Sequence, residues 1–207
     1  MNNFEQFLYM MQCYLSENGY EIEIQSDTSK LSKSNQSVLC KNGIPAIDMD
    51  NFAKKGYRKI ILPRSITEDD SINTADAFLI NKENKWYFIE FKDAIIGSNK
   101  SSILKKAYSN VYAILDVLYE RQQKEGGYTK FTYDNPVQFI RENVNYILVF
   151  SAEKNPNETT QMKNHRLSGE KYLPKFMERL QGYIYKEAYA MTDVIFDGEF
   201  AKQFCYE

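Results

Sequence analysis

The chain has 207 residues, a formal net charge of -2 and three widely spaced cysteines, Cys13, Cys40 and Cys205. That length supports one packed domain with its own core, and the near-balanced charge still allows a local basic groove for nucleic acid. An odd, scattered cysteine set excludes a disulfide framework or a zinc-finger spacing and points to a reducing cytoplasm. The one histidine, His165, lies in the polar segment Gln161–Arg166, which excludes a multi-histidine metal cage.

In chain order, Phe4, Phe7, Leu8, Met11 and Leu15 recur at helical spacing and predict a helix over 3–17 that stops at Asn18-Gly19. The start lacks a basic region followed by an apolar run, so no signal peptide is expected. No apolar stretch approaches ~20 residues, so no membrane span is expected either. Residues 26–44 are rich in Ser, Asn, Lys and Asp and predict an irregular excursion. Arg58–Pro63 reads as a short strand closed by proline, and Thr67–Ser71 as an acidic loop.

The segment Thr74–Asp93 reads as a hairpin of two apolar strands. One of its faces carries Phe78, Ile80, Trp86 and Phe88, and the other carries Leu79, Tyr87, Ile89 and Phe91. Because both faces are apolar, the hairpin is expected to be central and covered on both sides. After Gly97-Ser98-Asn99, a long helix is expected from about Ser102 to Gln123, its apolar stripe Leu104, Ala107, Tyr108, Val111, Leu115 and Leu118. Gly126-Gly127 ends that region. Asn145–Ser151 predicts a buried strand, residues 152–170 a polar, turn-rich stretch, Pro174–Met191 a last helix and Val194–Phe196 a final short strand. The order predicts an α/β fold with a central mixed sheet of four to five strands flanked by helices. On this reading 1–207 form a single domain, with a core at about 1–151 and a helical C-terminal extension at about 152–207.

Folding the hairpin about Glu83 sets Asp76 opposite Glu90. Side chains alternate along a strand, so Glu90 and Lys92 share the face of Trp86 and Phe88. Two acids in direct cross-strand register repel each other, and a divalent cation removes that conflict. Oxygen ligands suit Mg2+ or Mn2+, with the Phe91 carbonyl as a third donor. Lys92 places an ammonium beside a bound water or a phosphoryl oxygen. The bland alternative is a solvated salt bridge at a sheet edge.

Asp76 followed by Glu90-Phe91-Lys92, with a helix before and a helix and strand after, resembles the PD-(D/E)XK nuclease superfamily, whose fold is restriction endonuclease-like. Ala75 stands where many members carry proline. The resemblance implies that Asp76 and Glu90 bind Mg2+ or Mn2+, that Lys92 is the catalytic lysine, and that the reaction is phosphodiester hydrolysis. The substrate is DNA rather than RNA by the same resemblance, the reaction endo- or exonucleolytic, and the setting defence, repair or mobile-element biology. A homodimer follows from resemblance alone. The acidic pI and the lack of a basic stripe leave a second reading open, an inactive binding or immunity module on the same fold. Some members add an acid from the first helix. Glu5 is that candidate here, although a solvated or first-turn acid favoured by the helix dipole is the stronger reading. Asp69 and Asp70 lie in the acidic loop. Lys100, Lys105 and Lys106 form the best local basic cluster, suited either to phosphate contact or to a solvated helix face. Tyr108, Tyr112, Tyr183, Tyr185 and Tyr189 read as packing groups.

Overall fold

The computed structural model describes residues 1–34, 37–62, 72–124, 131 and 133–204. Among them, one open sheet has six strands in the order β1-β2-β3-β4-β5-β6. The strands are β1 (Gln25–Asp27), β2 (Pro45–Asp48), β3 (Ala77–Ile80), β4 (Trp86–Lys92), β5 (Val144–Phe150) and β6 (Glu187–Thr192). β1 to β4 form an antiparallel meander, whereas β5 and β6 run parallel to β4. The helices are α1 (Asn3–Glu17), α2 (Thr28–Leu31), α3 (Met49–Asn51), α4 (Arg58–Ile61), α5 (Lys100–Lys124), α6 (Pro136–Asn143), α7 (Pro156–Leu167) and α8 (Asp193–Ile195). No helix is long and apolar enough to cross a membrane among the described residues.

The central hairpin pairs Ala77 with Ile89, Phe78 with Phe88 and Ile80 with Trp86, the register expected from folding about Glu83. Its turn explains that register. The Asn81 side chain accepts from the backbone N–H of Glu83 and of Lys85, and Asn84 takes the left-handed conformation at φ 58° that Asn tolerates better than most residues. Both faces are covered. On one, Phe7 of α1 packs against Phe78 and Trp86, and Phe139 of α6 meets Trp86 edge-on at 4.9 Å. α5 lies on that face too, its Ile103 carbonyl accepting from the Tyr146 hydroxyl and its Ala107 carbonyl from that of Tyr185. On the other face, Tyr87 and Phe91 pack against Phe200, Phe204 and Phe196 from the C-terminal turns. At the start of α1, Asn2 and Glu5 close a reciprocal capping box.

Several elements differ from expectation. The sheet has six strands rather than four to five. Arg58–Ile61 is helical, the end of a continuous helical run through α3 and a π-helical stretch at Phe52–Tyr57. The apolar triplet Ile60-Ile61-Leu62 read alone suggests a strand, but Phe52, Ala53, Gly56 and Tyr57 form the helical face that is buried. The strand that precedes the hairpin is β2 instead. Pro174–Met191 is not one helix: a 3-10 segment at Lys175–Leu180 ends before Gly182, at φ 72°, and Glu187–Thr192 is the sixth strand. A glycine in the left-handed region cannot continue a helix. The C-terminal region is thus not wholly a helical extension. Residues 156–167 form α7, whose polar composition hides the helix because only Met162 is buried in it. Val194–Phe196 is a helical turn capped by the Thr192 side chain. Thr67–Ser71 with Asp69 and Asp70, Gly126-Gly127 and Cys205 lie outside the described residues.

The long helix is present but rotated. Its buried residues are Ile103, Ala107, Asn110, Ala113, Ile114, Val117, Leu118 and Arg121, so Ala107 and Leu118 are buried as expected while the centre of the stripe is turned by about one residue, or about 100°. Leu104, Tyr108, Val111 and Leu115 pack only partly buried at its flank.

Candidate active site

Asp76 sits in the bend just before β3, and Thr74 and Ala75 before it are tied down. The Thr74 hydroxyl donates to the Met49 carbonyl at 2.9 Å. The Ala75 N–H donates to Asn110 Oδ1 of α5 at 2.9 Å, and the Asp76 N–H to the Ile89 carbonyl at 3.1 Å. The carboxylate is then fixed from β4: the Phe91 N–H donates to Asp76 Oδ2 at 2.7 Å. Glu90, one residue earlier on β4, is fully buried, and Lys92 follows at the strand end. Sequence alternation and the observed register thus bring Asp76, Glu90 and Lys92 to one end of the sheet, the carboxyl end of β4 and of its parallel neighbour β5.

The fourth member comes from α5. The Lys106 ammonium donates to Asp76 Oδ1 at 3.0 Å and to Glu90 Oε2 at 2.8 Å. Lys92 Nζ lies 3.0 Å from Glu90 Oε1, yet that oxygen is buried and receives no hydrogen bond of acceptable angle. The four side chains balance two negative charges with two positive ones and open to solvent only at the rim. Asp76 and Lys92 each keep 19% side-chain exposure and Lys106 13%. The repulsion between the two acids is relieved here by an ammonium at the point where both carboxylates converge.

Burial dominates the electrostatics of the two acids. It pushes the Glu90 carboxyl up to about 7, with the neighbouring Asp76 charge adding to the rise and the two lysines opposing it. Burial likewise raises Asp76 against the pull of Lys106 and the Phe91 N–H. For Lys106, burial lowers the ammonium, and the Asp76 and Glu90 charges more than offset this, leaving it raised. A carboxyl whose folded value exceeds its unfolded value of 4.5 holds an extra proton in the native state. Its contribution to stability is full below about 4.5 and is lost as the pH rises through about 7. Melting of the metal-free protein is therefore expected to show this contribution disappearing between pH 5 and 8, with a flatter profile in Glu90→Gln. Identical pH profiles for the two proteins would contradict the assigned Glu90 environment.

In kind, though with only two carboxylates, the residues present suit a hard divalent ion, at a point that the Lys106 ammonium occupies. Asp76 Oδ1 and Glu90 Oε2 converge on one point, while Glu90 Oε1, buried and without a hydrogen bond, faces the Lys92 ammonium at 3.0 Å. The Phe91 N–H points toward Asp76 while the Lys92 carbonyl accepts from Ser151 of the β5 side. By strand alternation, the Phe91 carbonyl therefore faces the β3 edge as well. Among the described residues no group of three or more His, Cys, Asp or Glu side chains is placed to hold a metal. Water and substrate oxygens would have to complete the shell, as Mg2+ commonly permits.

The remaining expected residues lie elsewhere. Glu5 is in the capping box and borders a small cleft with Pro45 and Ile80, at the opposite end of β3 from Asp76. Lys100 and Lys105 are exposed on α5, with Lys100 Nζ 6.0 Å from the Phe176 ring. Lys106 is turned inward, away from the solvated face the other two share. Tyr185 and Tyr189 are buried, Tyr108 is partly buried, and Tyr112 and Tyr183 are exposed. His165 pairs with Glu170 at 3.2 Å. The sequence reading missed Asn110, which anchors the strand entry, and Asp48 at the end of β2. Asp48 caps the Asn51 N–H, and burial raises its carboxyl, with the Asp50 and Asp76 charges adding to the rise and the Asn51 N–H and Lys55 opposing it. The signal for Asn110 and Lys106 was their i, i+4 spacing beside Ile103 and Ala107, legible only once the buried side of α5 is known. No protein-family model matches the chain, and neither a curated protein nor a solved structure matches it.

Proposed function

We propose that this chain is a metal-dependent nuclease that hydrolyses phosphodiester bonds, in DNA rather than RNA. The observation that carries the reading is the convergence of Asp76 Oδ1 and Glu90 Oε2 on one cation position, with Lys92 alongside, at the carboxyl end of β4. The element order supports it: α1, three antiparallel strands β2 to β4, the crossover helix α5 and the parallel strand β5 follow the pattern that the PD-(D/E)XK resemblance implies. Asp76, Glu90 and the Phe91 carbonyl would hold Mg2+ or Mn2+. When bound, such an ion supplies an activated water and neutralises charge on the phosphate. The Lys92 ammonium sits where it can orient that water or receive developing negative charge. Exposed Lys100 and Lys105 on α5 would contact the nucleic-acid backbone.

The test is incubation of plasmid DNA, single-stranded DNA and RNA with Mg2+ or Mn2+, against the same mixtures in chelator. Cleavage that requires the metal and is strongest on DNA is expected. No cleavage of any of the three would overturn the reading. It would favour the second one, a non-catalytic binding module, which the charge-balanced Lys106 cluster also suits.

A further inference from the structure

We infer that Lys106 is the residue that sets metal affinity at this site: its ammonium holds the divalent cation's place between Asp76 and Glu90 and must leave when the ion enters. The inference rests on the reading that these two acids take a metal. Its basis is geometric. Among the described residues, Lys106 Nζ is the one group hydrogen-bonded to both carboxylates, at 3.0 Å and 2.8 Å, whereas Lys92 pairs with Glu90, from its other oxygen. A cation held by Asp76 Oδ1 and Glu90 Oε2 would fall on or beside that nitrogen.

Charge leads to the same conclusion. With both acids ionised the four side chains are balanced, so a divalent ion added to them would face two ammonium groups at short range in a poorly solvated place. Releasing Lys106 lowers that repulsion and frees the oxygens together. The release is sterically open, because the residue projects from α5 on a flexible four-carbon stem and keeps 13% exposure at the rim. Ejected there, the ammonium stands at the mouth through which a phosphate would approach. Metal binding is then intrinsically weak in the free protein, with Lys106 as competitor.

Calorimetric titration with Mn2+ of the wild-type chain, Lys106→Met and Lys106→Gln tests this without any cleavage assay. At least a tenfold tighter Kd is expected in both variants, and adding Glu90→Gln to either should remove the gain. Equal Kd values in wild type and variants would overturn the competition while leaving the metal site standing. Weaker binding in the variants would overturn it as well, by making Lys106 a helper. Absence of Mn2+ binding in all three would overturn both this inference and the nuclease reading. Amine acetylation of the wild-type chain, mapped by mass spectrometry, gives a check that needs no variant. Lys106 is expected to be protected without metal and several-fold more reactive with saturating Mn2+, and unchanged reactivity at saturation would overturn the displacement.

Discussion

Glu90→Ala is expected to lower metal-dependent cleavage by on the order of 10³-fold, and Lys92→Ala by about 10²-fold or more, the range found when one preorganised charge-stabilising group is removed. Glu90 has the larger expected effect because it is fully buried and contributes one of the two carboxylates that, among the described residues, reach the cation position. No other acid lies on β4 to replace it, since the strand otherwise carries apolar residues and Lys92. Lys92 is at the strand end, partly exposed and ion-paired with Glu90 from outside the acid pair, so its loss removes a charge without dismantling that pair. The measurement is initial cleavage rate on plasmid DNA, with circular dichroism to establish folding. Glu90→Gln, which keeps the side-chain volume, is expected to be as inactive as the alanine variant. Wild-type rates in Glu90→Gln and Lys92→Ala would sink the assigned site.

The second large effect concerns stability. Lys106→Met is expected to destabilise the metal-free protein by about 3–5 kcal/mol, because removing one partner of a buried ion pair leaves uncompensated buried charge. For a chain of this size that corresponds to a fall of roughly 10 °C in Tm. The two acids would face each other with only Lys92 in reach, and Glu90, already raised by burial, would respond by taking up a proton. The loss should therefore be smaller at pH 5 than at pH 8. Glu90→Gln in the same chain removes the conflicting charge and is expected to recover most of the stability. Thermal melting of the two single variants and the double variant in chelator isolates the coupling. A Lys106→Met protein within about 0.5 kcal/mol of wild type, as for an ordinary surface substitution, would mean that the ammonium does not support the cluster.

The sequence by itself determined the central hairpin and the heart of the site. The reason is local. A strand alternates with a period of two, so once the turn at Asn81–Lys85 pins the register, Asp76, Glu90 and Lys92 have no freedom to fall on different faces. The two apolar faces of Phe78–Ile80 and Trp86–Phe91 likewise required a covered, central position, and the amphipathic first helix carried its own cap signal in Asn2 and Glu5.

What only the tertiary structure decided was non-local. Residues 187–192 have no strand partner nearby in sequence, and their pairing is with β5 about forty residues earlier, so a helix was the natural local reading. The rotation of α5 was equally hidden, because Leu104, Tyr108, Val111 and Leu115 form a more continuous apolar stripe than Ile103, Ala107, Asn110 and Ile114, which includes a polar amide. Packing against the sheet chose the second. That choice of about 100° took Lys106 off the solvated face that Lys105 occupies. It set the ammonium between two carboxylates that the hairpin alone had left in conflict.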